Sequence, residues 1–355
     1  MRMKKFLAAV LVAAMGATML FGCGGKDGGS TTAAPGGSEA ADGSEAAGDN
    51  GDTITFKMSL NDPETSNYYK GACAIADEVE KATNGRIKIE VYAGGSLGGE
   101  RDCVELAMNN DLDIATTANS VLTNFIPEMG IIDQAYLWTS IDQAHAAVDG
   151  DLGAMISEKA EGIGLHVIGW MESGFRDTFS TKPIASVADF KGIKIRTMQN
   201  DFHMAAFNAF GAIATPMAYG EVFTALQQGT IDACENAISN CLASGFYEVT
   251  KNVTNTKHAY VYILVCMSDD AWNKVPEDLR DTFLEAVKKG YEAQRQYLVD
   301  ANTEATEELK KLGVEFFDID VNELQSLYQD AAEEEGWTFD EEWQKAVDKA
   351  ISENP

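Results

Sequence analysis

The chain is poor in the residues from which most catalytic and nucleic-acid sites are built. Only four histidines occur, His145, His166, His203 and His258, and no H-E-x-x-H pair, which excludes a zincin site. There is no G-x-S-x-G elbow and no Walker loop. The glycines Gly94, Gly95, Gly98 and Gly99 form a loop without the G-K-[ST] that would hold phosphate. The Glu333–Glu335 run and the Asp318/Asp320 pair lack the Asx-and-Gly pattern of a calcium loop, and they read as solvated surface. Positive charge is scarce: 27 Lys+Arg against 56 Asp+Glu give −29. Removing Arg2, Lys4 and Lys5 with the leader described below takes this to −32. That balance excludes nucleic acid as a natural partner. Proline is rare too, 7 in 355 residues, and with 45% apolar and 23% charged residues the chain is core-forming and neither collagen-like nor mainly disordered. No nucleophile and base pair off in the sequence, so it predicts a binding protein without metal or cofactor, not an enzyme.

Only one long apolar run exists, Phe6–Phe21, broken by Gly16 and Thr18 and preceded by Arg2, Lys4 and Lys5. It has the form of a secretory signal over residues 1–22. The junction Leu20-Phe21-Gly22-Cys23 resembles a bacterial lipobox, which makes Cys23 the expected lipidation site. Gly24–Gly51 contains 20 Gly, Ala, Ser or Thr among 28 residues and no Leu, Ile, Val or aromatic. Such a segment cannot repay the entropy of ordering, so residues 23–52 read as a lipid-bearing linker with a reach of about 30 Å. The expectation is an extracytoplasmic lipoprotein held to the outside of a membrane. Five cysteines follow Cys23, none in a C-x-x-C. Cys73, Cys103 and Cys266 sit in apolar segments and read as buried thiols, while a Cys234–Cys241 pairing stays open.

From Thr53 onward, strand-like and helix-like patterns alternate. Strands are expected at Thr53–Leu60, Arg86–Tyr92, Leu112–Thr116, Leu165–Trp170, Ile193–Thr197, Ile213–Thr215, Ile231–Cys234 and Ala259–Met267. Helices are expected at Tyr69–Ala82, Gly99–Asn109, Phe202–Phe210 and Gly220–Gln228. Length suggests about two domains, and the alternation predicts an α/β fold with parallel-rich sheets. From Pro276 to about Leu312 a helical pattern runs on with Gly290 as its one interior glycine. As a single helix it would be roughly 50 Å long; a break at Gly290 is the alternative.

Polar residues cluster at expected strand ends, where open α/β sheets bind ligands. Arg196 ends one strand, Asn236 follows another, and Arg176 and Asn119 follow two more. Two arginines and two amides in such places point to a small, anionic, oxygen-rich molecule.

Longer motifs sharpen this. Gly192–Asn200 (G-I-K-I-R-T-M-Q-N), Gly211–Asp232 and Glu235-Asn236 resemble the core signature of DctP-type solute-binding proteins of tripartite ATP-independent periplasmic (TRAP) transporters. Gly85–Glu100 and Trp170–Ile184 match the same family in the same order, and the resemblance covers roughly Thr53 to Gly313. It implies a two-lobed periplasmic-binding-protein-like fold with hinge strands and a long helix spanning both lobes. One lobe would comprise 53–173 plus about 262–300, and the other 174–261 plus about 301–355 with the C-terminal helices. The family's carboxylate-pairing arginine falls on Arg196 and its partner amide on Asn236. A second arginine matches Arg176, an aromatic matches Tyr219, and a ligand-facing amide matches Gln199. Glu100 and Asn119 belong to the opposite lobe. The chain departs from the family at Ala135-Tyr136-Leu137-Trp138, where P-F-L-F is common, and at Glu235-Asn236-Ala237, where E-N-P is common.

The resemblance implies capture of a small organic acid by lobe closure, and delivery to the small and large TRAP membrane subunits by a monomeric, lipid-anchored receptor. The run Lys194–Asn200 resembles members that bind sugar acids such as hexuronates. A sensory receptor and an extracytoplasmic enzyme on the same fold are the competing classes. Without ligand, the Arg196 guanidinium is expected to face water.

Overall fold

Among the residues that the computed structural model describes, 53–355, nine strands form one continuous sheet. They are β1 (Ile54–Ser59), β2 (Ile87–Tyr92), β3 (Ile114–Ala118), β4 (Leu165–Ser180), β5 (Lys194–Thr197), β6 (Ile213–Pro216), β7 (Ala233–Asn236), β8 (Asn252–Ser268) and β9 (Glu315–Phe317). Their order is β2-β1-β3-β8-β4-β7-β5-β6, with β9 beside β8. The leader 1–22, Cys23 and the linker to residue 52 lie outside the described residues. Among the described residues, no helix is long and apolar enough to cross a membrane.

Parallel pairing dominates only toward the two flanks. β1 pairs in parallel with β2 and β3, and β5 with β6 and β7. The centre is antiparallel: β4 runs against β8 from Leu165↔Ser268 to Ser180↔Asn252. The parallel-rich expectation therefore fails at the middle of the sheet. β4 and β8 are also far longer than the sequence pattern predicts, at 16 and 17 residues, or roughly 50 Å each at strand rise. Each belongs to two lobes. One end of β8 pairs with β3 and the other with β9, while the far end of β4 pairs with β7. Three register shifts interrupt the β4–β8 ladder, one of them between Glu172 and Gly174. Gly174 has φ +80°, and a Cβ there would stand 3.2 Å from Leu298. Both conditions call for glycine.

The helix Arg280–Lys311 is continuous over 32 residues, about 48 Å. Gly290 does not break it. A Cβ at Gly290 would come within 2.5 Å of the Ile75 Cα, so the glycine lets the long helix cross the helix Asn67–Ala82 at close range. Phe283, Ala286, Val287 and Tyr291 pack into the core around β1 and β3, while Leu309 joins Phe179, Val222 and Val314 in the core of the other lobe. The helix thus ties the two lobes together beside β4 and β8.

The C-terminus differs from the expected partition. The helix Val321–Glu335 packs Leu324 and Tyr328 onto Phe190 and Phe207 of the second lobe. The helix Glu341–Glu353 returns to the first: Trp343, Ala346, Val347 and Ala350 lie against Ala144, Ala147, Leu152 and Ile156. Residues 301–355 are not all second-lobe, because the apolar stripe of this last helix fits the Ile141–Glu161 helical pair. Cys73, Cys103, Cys234, Cys241 and Cys266 are all free thiols, so no Cys234–Cys241 bridge forms.

Candidate ligand-binding cleft

The carboxyl ends of β5 and β6 deliver one wall of a cavity of about 140 Å³, and the start of the helix Glu100–Met108 delivers the other. Asn61, Glu100, Arg196, Gln199 and Tyr219 supply its polar lining, and Val121, Met198 and Met217 its apolar surface.

Arg196 is the third residue of β5 and is only 4% exposed. Its Nε donates to the Met217 carbonyl at 2.9 Å, and Nη1 stands 3.7 Å from Glu235 Oε1. Among the described residues that is its only hydrogen bond, so the Nη groups are left to the cavity. The expected water-facing guanidinium is thus corrected to a buried one. Burial lowers its pKa, and Glu235 opposes that effect. Across the cavity, Glu100 Oε2 accepts from the Ala118 backbone N–H at 2.7 Å and from Thr117 Oγ1 at 3.4 Å. Tyr219 is held by Ser244 and by Asn240 Nδ2, 3.1 Å away. Gln199 lines the cavity, and its carbonyl is fixed by Asn124 Nδ2 at 2.9 Å. Arg101 also lines the cavity, but its guanidinium pairs with Glu105 at 3.1 Å and stacks on Phe125, which leaves Arg196 as the cation suited to an anion.

Arg176 and Asn236 stand behind Arg196, not in the cavity. All five Arg176 N–H groups are taken. Nε and Nη2 reach the Glu235 carboxylate, the latter at 3.0 Å, and Nη2 also donates to the Glu235 carbonyl at 2.7 Å. Nη1 donates to Ser173 Oγ at 3.2 Å and Asn236 Oδ1 at 2.9 Å. Asn236 therefore partners Arg176, not Arg196. Asn119 is not brought to the cavity either. It is fully buried, with Nδ2 on Asp133 at 2.6 Å and Oδ1 accepting from the Tyr262 N–H at 2.8 Å.

Sequence reasoning missed the residue on which this arrangement turns. Glu235, 1% exposed, meets Arg176, Arg196 and, at 3.3 Å, His258. Burial alone would raise its pKa, but Arg176, with the His258 hydrogen bond, holds it well below the usual carboxylate range. His203, Glu235 and His258 converge closely enough to ligate a cation. The Glu235 carboxylate, however, is already engaged by one guanidinium and faced by a second, so the chemistry is that of an ion pair and does not fit a metal. The signal for Glu235 was its place next to Asn236 in the same motif. Asp62 was also missed: burial and then Glu100 raise it to about 7, with Asn240 and Arg176 partly offsetting them.

Known proteins resemble this chain in sequence and fold. The chain is 29% identical over 262 residues to the 2,3-diketo-L-gulonate-binding periplasmic protein YiaO of Escherichia coli (strain K12), covering 74% of this chain and 80% of that protein. A TRAP periplasmic solute-binding protein from Polaromonas sp. JS666, bound to D-erythronate, superposes with TM-score 0.77 at 33% identity, covering 84% of this chain and 98% of the other. One from Xanthobacter autotrophicus Py2, with bound β-D-galacturonate, gives 0.79 at 27% identity, covering 84% and 99%. The profile of the bacterial extracellular solute-binding proteins of family 7, DctP, matches residues 58–335. The two-lobed α/β architecture is thus a known one, and the chain belongs to the DctP family as a TRAP-type solute-binding protein.

Proposed function

We propose that this protein captures a monocarboxylate sugar acid between its lobes and hands it to the small and large membrane subunits of a TRAP transporter. The observation that carries the reading is the Arg196 guanidinium, buried with its Nη groups unspent and set opposite an acidic wall. A planar guanidinium takes a carboxylate through two parallel bonds and so fixes its orientation. Glu100 can only accept, and it suits the hydroxyl groups of a polyol tail. A second carboxylate reaching that wall would meet Glu100 and Asp102, so dicarboxylates are disfavoured and hydroxylated monocarboxylates preferred. The D-erythronate and β-D-galacturonate held by the related structures have this chemistry.

The leader and the lipobox-like Cys23 support a location outside the cytoplasm with a lipid tether. Calorimetry with galacturonate, glucuronate, erythronate and succinate tests the ligand class. At least one sugar acid should bind more tightly than succinate by tenfold or more, about 1.4 kcal/mol. A preference for succinate, or no binding by any of the three sugar acids, overturns the assignment.

A further inference from the structure

A larger cavity lies at the middle of the molecule, where β4 and the long helix pass one another. It encloses about 340 Å³ and shares no lining residue with the cleft. Its walls come from both lobes: Ile141 from the first, Ile238 from the second, Phe175 from β4, and Leu298 and Val299 from the long helix. Ile141 is 40% exposed and Val299 49%, so large apolar side chains stand open at its mouth.

The polar residue types around it mostly present apolar surface. Thr303 Oγ1 donates to the Val299 carbonyl at 3.1 Å and Thr306 Oγ1 to the Asn302 carbonyl at 2.9 Å, so their hydroxyls are spent within the helix. The charged floor is paired within itself, with Arg295 Nε 3.2 Å from Glu172 Oε1. Glu172 accepts from His145 at 2.8 Å and Tyr260 at 2.7 Å, and Arg295 forks onto Asp149 at 2.6 and 2.9 Å. Asp177 accepts the Lys257 backbone N–H at 3.1 Å. One Asp177 oxygen remains as an acceptor, and the donors left for a ligand are the exposed Lys257 ammonium and the Asn302 amide NH₂, whose oxygen is already taken by the Ser239 N–H at 3.2 Å.

We propose that this cavity is a second binding site, for a small carboxylate with an aromatic or branched apolar body, and that its occupancy is coupled to the angle between the lobes. The apolar walls accept the body and the Lys257 and Asn302 donors accept the head. Because both lobes and the elements between them line the site, an occupant contacts groups that move relative to one another on closure. Any difference in its affinity for the open and closed forms shifts that equilibrium.

The test uses the full chain, methyl-labelled at Ile, Leu and Val, with 3-phenylpropionate as the probe. Saturable shifts are expected at Ile141, Ile238, Leu298 and Val299, and 3-phenylpropanol, which lacks the carboxylate, should bind about tenfold more weakly. Thr303→Trp fills the space and should abolish the shifts. Val299→Glu sits at the exposed mouth, should leave folding intact, and should weaken binding about tenfold by charge repulsion. Small-angle scattering should show a changed radius of gyration with the probe present. No saturable shift, shifts only at residues of the cleft, or equal binding by both variants overturns the site. An unchanged scattering profile at saturation overturns the coupling. Neither outcome depends on what fills the cleft.

Discussion

The Gln294 side chain grips the backbone of Glu172 in both directions: Nε2 donates to the Glu172 carbonyl at 2.8 Å, and Oε1 accepts its N–H at 2.8 Å. The same Nε2 reaches Asn67 Oδ1 at 2.7 Å, and Asn67 Nδ2 continues to Ser239 Oγ of the second lobe at 3.2 Å. Glu172 lies at the register shift of β4, where the ladder to β8 is interrupted, so the long helix supplies hydrogen bonds at that break. Gln294 is fully buried, which leaves no water to replace it.

Replacing Gln294 with Leu should therefore orphan two backbone groups and the Asn67 oxygen. Each unsatisfied buried group costs about 1–3 kcal/mol, so a total loss of at least about 3 kcal/mol is expected in urea unfolding. Gln294→Glu keeps the acceptor toward the Glu172 N–H but loses the donor, and it should also destabilise. A loss below about 1 kcal/mol for Gln294→Leu would mean that the strand is held at this point by packing alone.

Arg196→Ala should leave the fold nearly intact, since the guanidinium makes one hydrogen bond, to Met217, and a longer approach to Glu235. Ligand affinity should fall by about 2–5 kcal/mol, or roughly 30-fold to several thousand-fold, because the bound carboxylate would be enclosed without its partner. Arg196→Lys restores charge without the fork and should recover only part of the loss. Calorimetry decides it: near-native affinity in Arg196→Ala would place the carboxylate elsewhere. Arg176→Ala should behave differently. It leaves the buried Glu235 with only the 3.7 Å approach of Arg196 and the His258 contact, and the expected result is a loss of folding stability of about 3–5 kcal/mol.

The contrast between these arginines shows where the sequence could and could not be read. Strands such as β1 and β2 and the helix Asn67–Ala82 emerge from periodicity, because one face is apolar and the other wet. The second half of β4 and the first half of β8 do not. They carry Glu172, Ser173, Arg176, Asp177 and Thr178, and Asn252, Thr254, Thr256 and His258, all buried. Buried polar residues break the apolar pattern, and the partners that permit their burial come from distant segments: Arg295 and Tyr260 for Glu172, Glu235 for Arg176, Thr256 for Thr178. The same blindness separated Arg196 from Arg176 only after folding. Both end up 4% exposed with charged neighbours, and only the geometry shows that one has all its donors spent and the other does not. Asn119 was misplaced for a related reason: its amide is consumed by Asp133, a residue in the turn Pro127–Asp133 that no periodicity marks.

Cys23 carries a prediction that rests on sequence alone. If it bears the lipid, Cys23→Ser should release the protein from the membrane fraction without detergent. Persistent, detergent-dependent association would defeat the tether, since the remainder of the chain after the leader offers no comparably apolar run.

Stability should change with pH in two opposed steps. Burial, and for Asp62 also Glu100, raises Asp62 to about 7; burial likewise raises Asp133 to about 6 and Asp177 to about 6. In the unfolded chain such carboxyls titrate near about 3.9, so between about pH 4 and 7 the folded state binds more protons than the unfolded one. Acidifying from about pH 8 to 5 should therefore raise the melting temperature. Glu235 works the other way. Its folded pKa is depressed, so its stabilising contribution is present above the unfolded glutamate value of about 4.3 and is lost as the pH falls toward its folded pKa. The melting temperature should thus pass through a maximum near about pH 5 and drop below about pH 4. Relief of self-repulsion in a chain of net charge −29 has the same sign on the alkaline limb, so the limb alone does not isolate the buried groups. Asp62→Asn does. It removes the group that titrates highest and should flatten the slope between about pH 6 and 8 while leaving the acid limb in place. An unchanged alkaline slope in that variant would assign the whole effect to surface charge and contradict a raised Asp62.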